Sequence, residues 1–238
     1  MYTNIILFIF LLAVIFLIIA NYRTRLTKNS YLTGIFLYII FGLLYVTLLG
    51  RIFTNFEIFR SHYMISFIMI FILSCISFFL INNGNLVINS LGYLLFLTMM
   101  SILVSFTIAG SSTKNIQYTL MISALLVAIL TGIVYFSSER ILLFLISLTP
   151  ILNFLLIIFF FLIIGSFFLN YGVTFSKYLY SGLIILFVLY VLADTSRIVF
   201  ESQNLECQTH YCVNYSGRSV NLLIDYLYIF LNLTNLSR

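Results

Sequence analysis

Apolar runs long enough to cross a bilayer recur along the whole of this chain, and no other feature restricts its fold so severely. They fall at roughly 4–21, 31–50, 62–82, 90–110, 117–136, 141–166, 177–200 and 219–236. A helix needs ~20 such residues to span about 30 Å of hydrocarbon. Inside lipid, every backbone N–H and C=O must find a partner within the segment, so runs of this length become helices. Short polar connections such as "INNGN", "SSTKN" and "SSER" join them. The pattern predicts an all-α polytopic membrane protein with eight helices, no internal repeat and no linker of the kind that separates domains.

Charge supports this. Only 7% of the 238 residues are charged and 63% are hydrophobic, where a soluble domain carries about 25% charged residues. The 11 Lys and Arg against 6 Asp and Glu are scattered singly. No basic stripe suited to nucleic acid appears, so the cations report on topology. Arg23, Arg25 and Lys28 follow the first run and are expected to hold that connection in the cytosol. "MYTN" carries no positive side chain and "IIA" is a poor cleavage site, so the first run reads as a helix rather than a signal peptide.

Six acidic residues occur, and four of them, Glu57, Glu139, Glu201 and Glu206, fall at or beyond the ends of apolar runs. Asp194 and Asp225 do not. Asp194 lies six residues before Phe200, the exit of the seventh run, and Asp225 six residues after Ser219, the entry of the eighth. Consecutive helices run antiparallel, so both carboxylates are expected about 9 Å in from the same side. Two like charges at low dielectric do not comfortably both ionise, so such a pair shares a proton and responds to pH. A second reading stays open at this point. Arg197 at i+3 and Glu201 at i+7 project from the same helical face as Asp194, and an Asp194–Arg197 pair would satisfy the charge by packing alone.

The same stretches carry a resemblance. "LYSGLIILFVLYVLADTSRIV" followed by "SVNLLIDYLYIFLNL" resembles the C-terminal signature of the transmembrane Bax inhibitor motif family. In that signature an apolar run ends in Asp-Thr-Gln, and a last helix carries a second aspartate. Asp194-Thr195 matches the first motif, with Ser196 in place of Gln. Leu223-Ile224-Asp225-Tyr226 matches the second, with Phe230 at the aromatic position. "IVYFSSERILLFL" is similar to the loop between the family's fourth and fifth helices.

The resemblance implies a seven-helix bundle over 31–238, preceded here by an extra N-terminal transmembrane helix and basic connection over 1–30. It implies a pH-sensitive calcium leak with an anti-apoptotic role, in an endoplasmic reticulum or Golgi membrane. Asp194 and Asp225 would be the pH sensor, Arg197 and Glu201 candidate partners of that sensor, and calcium the permeant ion with no resident cofactor. The expected surroundings are membrane lipid, further copies of the chain and apoptosis regulators. An arginine that some members carry near the end of their second helix has no counterpart in "FFLINNGN".

Other features point to no chemistry. The sequence holds no Ser/His/Asp set, zinc motif or phosphate-binding glycine loop, and His62 and His210 stand isolated, so no enzyme is expected. Cys75 lies inside an apolar run, and Cys207, Cys212 and His210 read as loop residues rather than a disulfide or metal site. The glycosylation triplets at Asn214, Asn232 and Asn235 are expected to be unused. Pro150 frees a backbone carbonyl that Thr149 or Asn153 could satisfy. Gly165 and Gly182 are expected to permit close helix contact. A competing class, also consistent with the composition, is a hydrophobic subunit of a large mitochondrial inner-membrane respiratory complex.

Overall fold

The computed structural model describes residues 27–54, 63–83, 85–109, 111–169, 173–205 and 213–237. Among the described residues the regular structure is helical. The helices are α1 (Lys28–Phe53), α2 (Tyr63–Ile81), α3 (Leu86–Ile108), α4 (Thr113–Tyr135), α5 (Glu139–Ser147), α6 (Thr149–Leu169), α7 (Val173–Gln203) and α8 (Tyr215–Leu236). The first apolar run at 4–21, the loop holding Cys207, His210 and Cys212, and Glu57, His62 and Glu206 lie outside the described residues.

Helix ends fall where capping chemistry puts them rather than where apolar runs stop. α1 starts at Lys28, ahead of the expected 31, because Thr27 and Ser30 close a reciprocal capping box. The Ser30 N–H donates to Thr27 Oγ1 at 3.2 Å and the Thr27 N–H to Ser30 Oγ at 2.8 Å, which satisfies two donors that a helix start leaves open. Asn85 caps α3 through the Val87 N–H at 2.9 Å. Ser112 caps α4 through the Asn115 N–H at 3.3 Å.

The expected single helix over 141–166 is two. α5 ends at Ser147, Leu148 forms a turn, and α6 begins at Thr149 with Pro150 in its first turn. Proline has no N–H, so the carbonyl four residues back, that of Ile146, loses its usual helical donor. The Thr149 hydroxyl donates to Ile146 O at 2.8 Å instead. Of the two candidates named from sequence, Thr149 fills this role and Asn153 does not.

The described chain groups into two compact units. The first holds α1, α2, α3 and the start of α8 up to Val220; the second holds α4 to α7 and α8 from Asn221 onward.

In the first unit α3 packs against both α1 and α2. Its Tyr93, fully buried, donates its hydroxyl to Tyr38 O at 2.7 Å, and Tyr38 stacks on Tyr215 with centroids 6.1 Å apart. An amide clasp joins three helix ends. Ile81 O, at the C-terminus of α2, accepts from both Asn89 Nδ2 and Asn214 Nδ2. Asn89 Nδ2 also reaches Asn214 Oδ1 at 2.9 Å. Asn214 Oδ1 in turn caps α8 by accepting from the Gly217 N–H at 2.7 Å. A Cβ on Gly217 would stand 2.7 Å from Asn214 Nδ2, so glycine is what lets this cap close.

In the second unit α7 packs against α4, α5 and α6. Gly182 makes the close contact expected of it, since a Cβ there would lie 2.7 Å from the Phe159 ring. Gly165 does not: a Cβ there meets no heavy atom within 4 Å. A hydroxyl seam joins α4 to α8. Thr119 and Thr234 hydroxyls lie 3.2 Å apart, Ser123 Oγ donates to the Tyr226 hydroxyl at 3.3 Å, and that hydroxyl donates to Leu120 O at 3.2 Å. Such bonds hold helices together where lipid removes the hydrophobic drive between them.

Five described helical spans are long and apolar enough to cross a membrane: Lys28–Phe53, Val87–Ile108, Lys114–Tyr135, Glu139–Gly165 and Thr174–Gln203. Large apolar side chains face outward from them and from α2, among them Phe79, Met121, Phe136, Phe154 and Phe161. A water-soluble protein does not expose so much continuous apolar surface, so the chain is an integral membrane protein. α8 is an exception to the eight expected spans. Its Arg218, Asn221, Asp225 and Asn232 interrupt the apolar pattern, while Leu222, Leu223, Tyr226, Leu227, Ile229 and Phe230 are buried around its circumference.

Candidate functional site: an aspartate pair in the second unit

Both aspartates belong to the second unit. Asp194 sits in α7, nine residues before its last residue Gln203, and Asp225 sits in α8, ten residues after its first residue Tyr215. At 1.5 Å per residue these positions lie about 14 and about 15 Å from the neighbouring helix ends. The two distances match each other, and they exceed the ~9 Å counted from the ends of the apolar runs. The reason is that α7 continues past Phe200 and α8 begins before Ser219.

Asp225 is 4% exposed, and its Oδ2 has no hydrogen-bond partner among the described residues. An orphaned buried carboxylate oxygen is expensive unless a proton, an ion or a moving donor serves it. The Phe187–Tyr228 contact packs the helix that carries Asp194 against the helix that carries Asp225. Asp194 itself is half-buried, and Arg197 and Glu201 lie half-buried one and two turns further along α7.

Aromatic residues build the surroundings. Phe187, Tyr190 and Asp194 recur at helical spacing along one face of α7. Phe187 stacks flat on Tyr228 of α8, with centroids 4.5 Å apart and planes within 2°. Tyr228 is three residues beyond Asp225, so this stack brings the Asp194 face of α7 and the Asp225 face of α8 together. Phe187 also meets Tyr190 at 5.8 Å. Tyr190 is buried and donates its hydroxyl to Asn153 Oδ1 of α6 at 2.7 Å.

Sequence reasoning placed the two aspartates and missed Tyr190 and Asn153 as members of the same site. Two signals were available for them. Tyr190 is four residues before Asp194, and Asn153 is the one amide side chain in α6.

Thr195 adds another unsatisfied group. It is fully buried, and its hydroxyl has no partner among the described residues. Its neighbour Ser196 instead bonds back to Leu192 O at 2.7 Å. Two of the three triplet asparagines are hydrogen-bonded inside the fold: Asn214 is in the amide clasp, and Asn232 is buried and donates to Tyr228 O at 2.7 Å.

A buried carboxylate coupled to a second one can share a proton, and loss of that proton puts a second negative charge into a desolvated site. Such a site can hold two helices together or push them apart. A family described as "Inhibitor of apoptosis-promoting Bax1" matches residues 28–237, nearly the whole chain. Among individual curated proteins, none matches.

Proposed function

This chain belongs to the Bax inhibitor family of membrane proteins, and from that premise we propose that it is a pH-sensitive calcium leak that restrains cell death, with Asp194 and Asp225 as its proton sensor. The observation that carries the reading is the state of Asp225. It is buried, one of its oxygens has no partner among the described residues, and the Phe187–Tyr228 contact packs its helix against the helix that carries Asp194. With one shared proton the pair is neutral enough to stay packed. With that proton gone, two carboxylates face each other at low dielectric, and separation of α7 from α8 relieves the repulsion. A cation pathway opened in this way responds steeply to pH. By family analogy the membrane is that of the endoplasmic reticulum or Golgi, the permeant ion is calcium, and the partners are further copies of the chain or apoptosis regulators.

The test is calcium flux into proteoliposomes from acidic to mildly alkaline pH, comparing the native chain with Asp194→Asn and Asp225→Asn. A pH-dependent leak that both substitutions disturb supports the proposal. Flux that is unchanged in both variants removes the aspartates from the mechanism, and no flux at any pH removes the leak. Purification separates this reading from a respiratory subunit, since a leak is stable alone or as a small homo-oligomer and a respiratory subunit migrates only with a large assembly.

A further inference from the structure

Tyr190 has one hydroxyl proton to donate and two classes of acceptor within its surroundings. It donates to Asn153 Oδ1 at 2.7 Å. Its ring is fixed against Phe187, which is stacked on Tyr228 one turn from Asp225. Tyr190 stands one helical turn before Asp194 on α7, and Asp225 Oδ2 is a buried acceptor with no donor of its own among the described residues. A hydrogen bond to an ionised carboxylate is roughly twice as strong as one to a neutral amide oxygen.

We propose that Tyr190 is the switching donor of this site: its hydroxyl goes to Asn153 while the aspartate pair keeps its shared proton, and to the Asp225 oxygen once that proton leaves. The one covalent bond broken is the O–H of the protonated carboxyl. The released proton passes to water at the membrane face, and one O–H···O hydrogen bond is exchanged for another. Tyr190 is thereby a positioning residue that favours the ionised pair, and Asn153 is the competitor that holds it back. The exchange also unties α6 from α7 three residues beyond Pro150, next to the break at Leu148 where α6 lacks a continuous helix before it.

The groups around the switch are few. α7 supplies Asp194, with Arg197 and Glu201 beyond it, and α8 supplies Asp225 and Tyr228. The Tyr226 hydroxyl is turned to Leu120 O and Ser123 of α4. α6 contributes no ionisable side chain. Lys114 and Tyr118 of α4, and Glu139 and Arg140 of α5, are exposed near the starts of their helices, and Tyr135 is exposed at the end of α4.

The inference rests on the reading of Asp194 and Asp225 as a proton-sharing pair, but its test does not need ion flux. The full-length protein in lipid is titrated by infrared difference spectroscopy, following the carboxylic acid stretch that Asp225→Asn removes. Tyr190→Phe takes away the donor and should move the midpoint upward by on the order of one pH unit, a tenfold change in proton concentration. Asn153→Leu takes away the competitor and should move it downward. The double variant should titrate like Tyr190→Phe alone.

Opposite shifts support the switch, even if no calcium leak is found. Shifts of the same sign, or none, overturn it, because a plain tether between α6 and α7 would be lost equally in both single variants. A native protein with no carboxyl titration also overturns it. Variants are compared only as monodisperse protein with native helix content. If Tyr190→Phe fails that standard, Asn153→Leu and Asn153→Ser carry the test, with a downward shift in both expected and its absence refuting the switch.

Discussion

Asn214→Ala offers the clearest quantitative check on the packing. The side chain receives the Gly217 N–H at 2.7 Å and Asn89 Nδ2 at 2.9 Å, and donates to Ile81 O at 2.9 Å. Loss of an N-cap costs about 1 kcal/mol. Asn89 keeps its bond to Ile81 O but loses an acceptor, which adds about 1 kcal/mol for a buried amide that retains one partner. The expected destabilisation is therefore about 2 kcal/mol. For a chain of this size that lowers Tm by roughly 4–8 °C, read by circular dichroism during heating in detergent.

Asn214→Asp keeps both of the counted bonds, to Gly217 and Asn89, and loses only the donation to Ile81 O, which Asn89 still serves, so it should cost clearly less than Asn214→Ala. An unchanged Tm for Asn214→Ala would refute the clasp, as would an Asp variant no better than the Ala variant. Attached glycan at Asn214 in expressed protein would do the same, because the amide nitrogen is already committed.

Three further outcomes follow from single contacts. Thr149→Val should cost about 1 kcal/mol, because Ile146 O loses its hydroxyl donor and keeps only the Leu148 N–H; in a Pro150→Ala background the same change should cost little, since the restored N–H serves that carbonyl, and thermal unfolding of the four variants decides it. Gly165→Ala should leave Tm equal or raise it, worth up to about 1 kcal/mol of helix propensity, since a new Cβ there meets nothing within 4 Å. Gly182→Leu should instead lower it by about 1–3 kcal/mol, because the side chain must enter the space of the Phe159 ring, 2.7 Å from the Cβ position.

How much of this was legible beforehand varies from one element to the next. The depth match of Asp194 and Asp225 was, because a fixed rise per residue and an antiparallel turn turn sequence distance into height. Their distance from the helix ends was not: α7 runs on to Gln203 and the Asn214 cap starts α8 at Tyr215, on polar residues that an apolar run does not include. The break at Leu148 was half legible, since Pro150 announced a lost hydrogen bond without saying whether the helix would bend or stop.

What the sequence by itself determined is a membrane protein of apolar helices with two carboxylates at one level, since hydropathy and helical period are local properties that survive any arrangement of the helices. What only the tertiary structure decided is the company those carboxylates keep. Tyr190 meets Asn153 across 37 residues of chain, and Asn89 meets Asn214 across 125. Each pairing depends on how helices are rotated about their own axes. That rotation is set by the sum of many packing contacts, and no residue spacing along one helix encodes which side chain of another will face it.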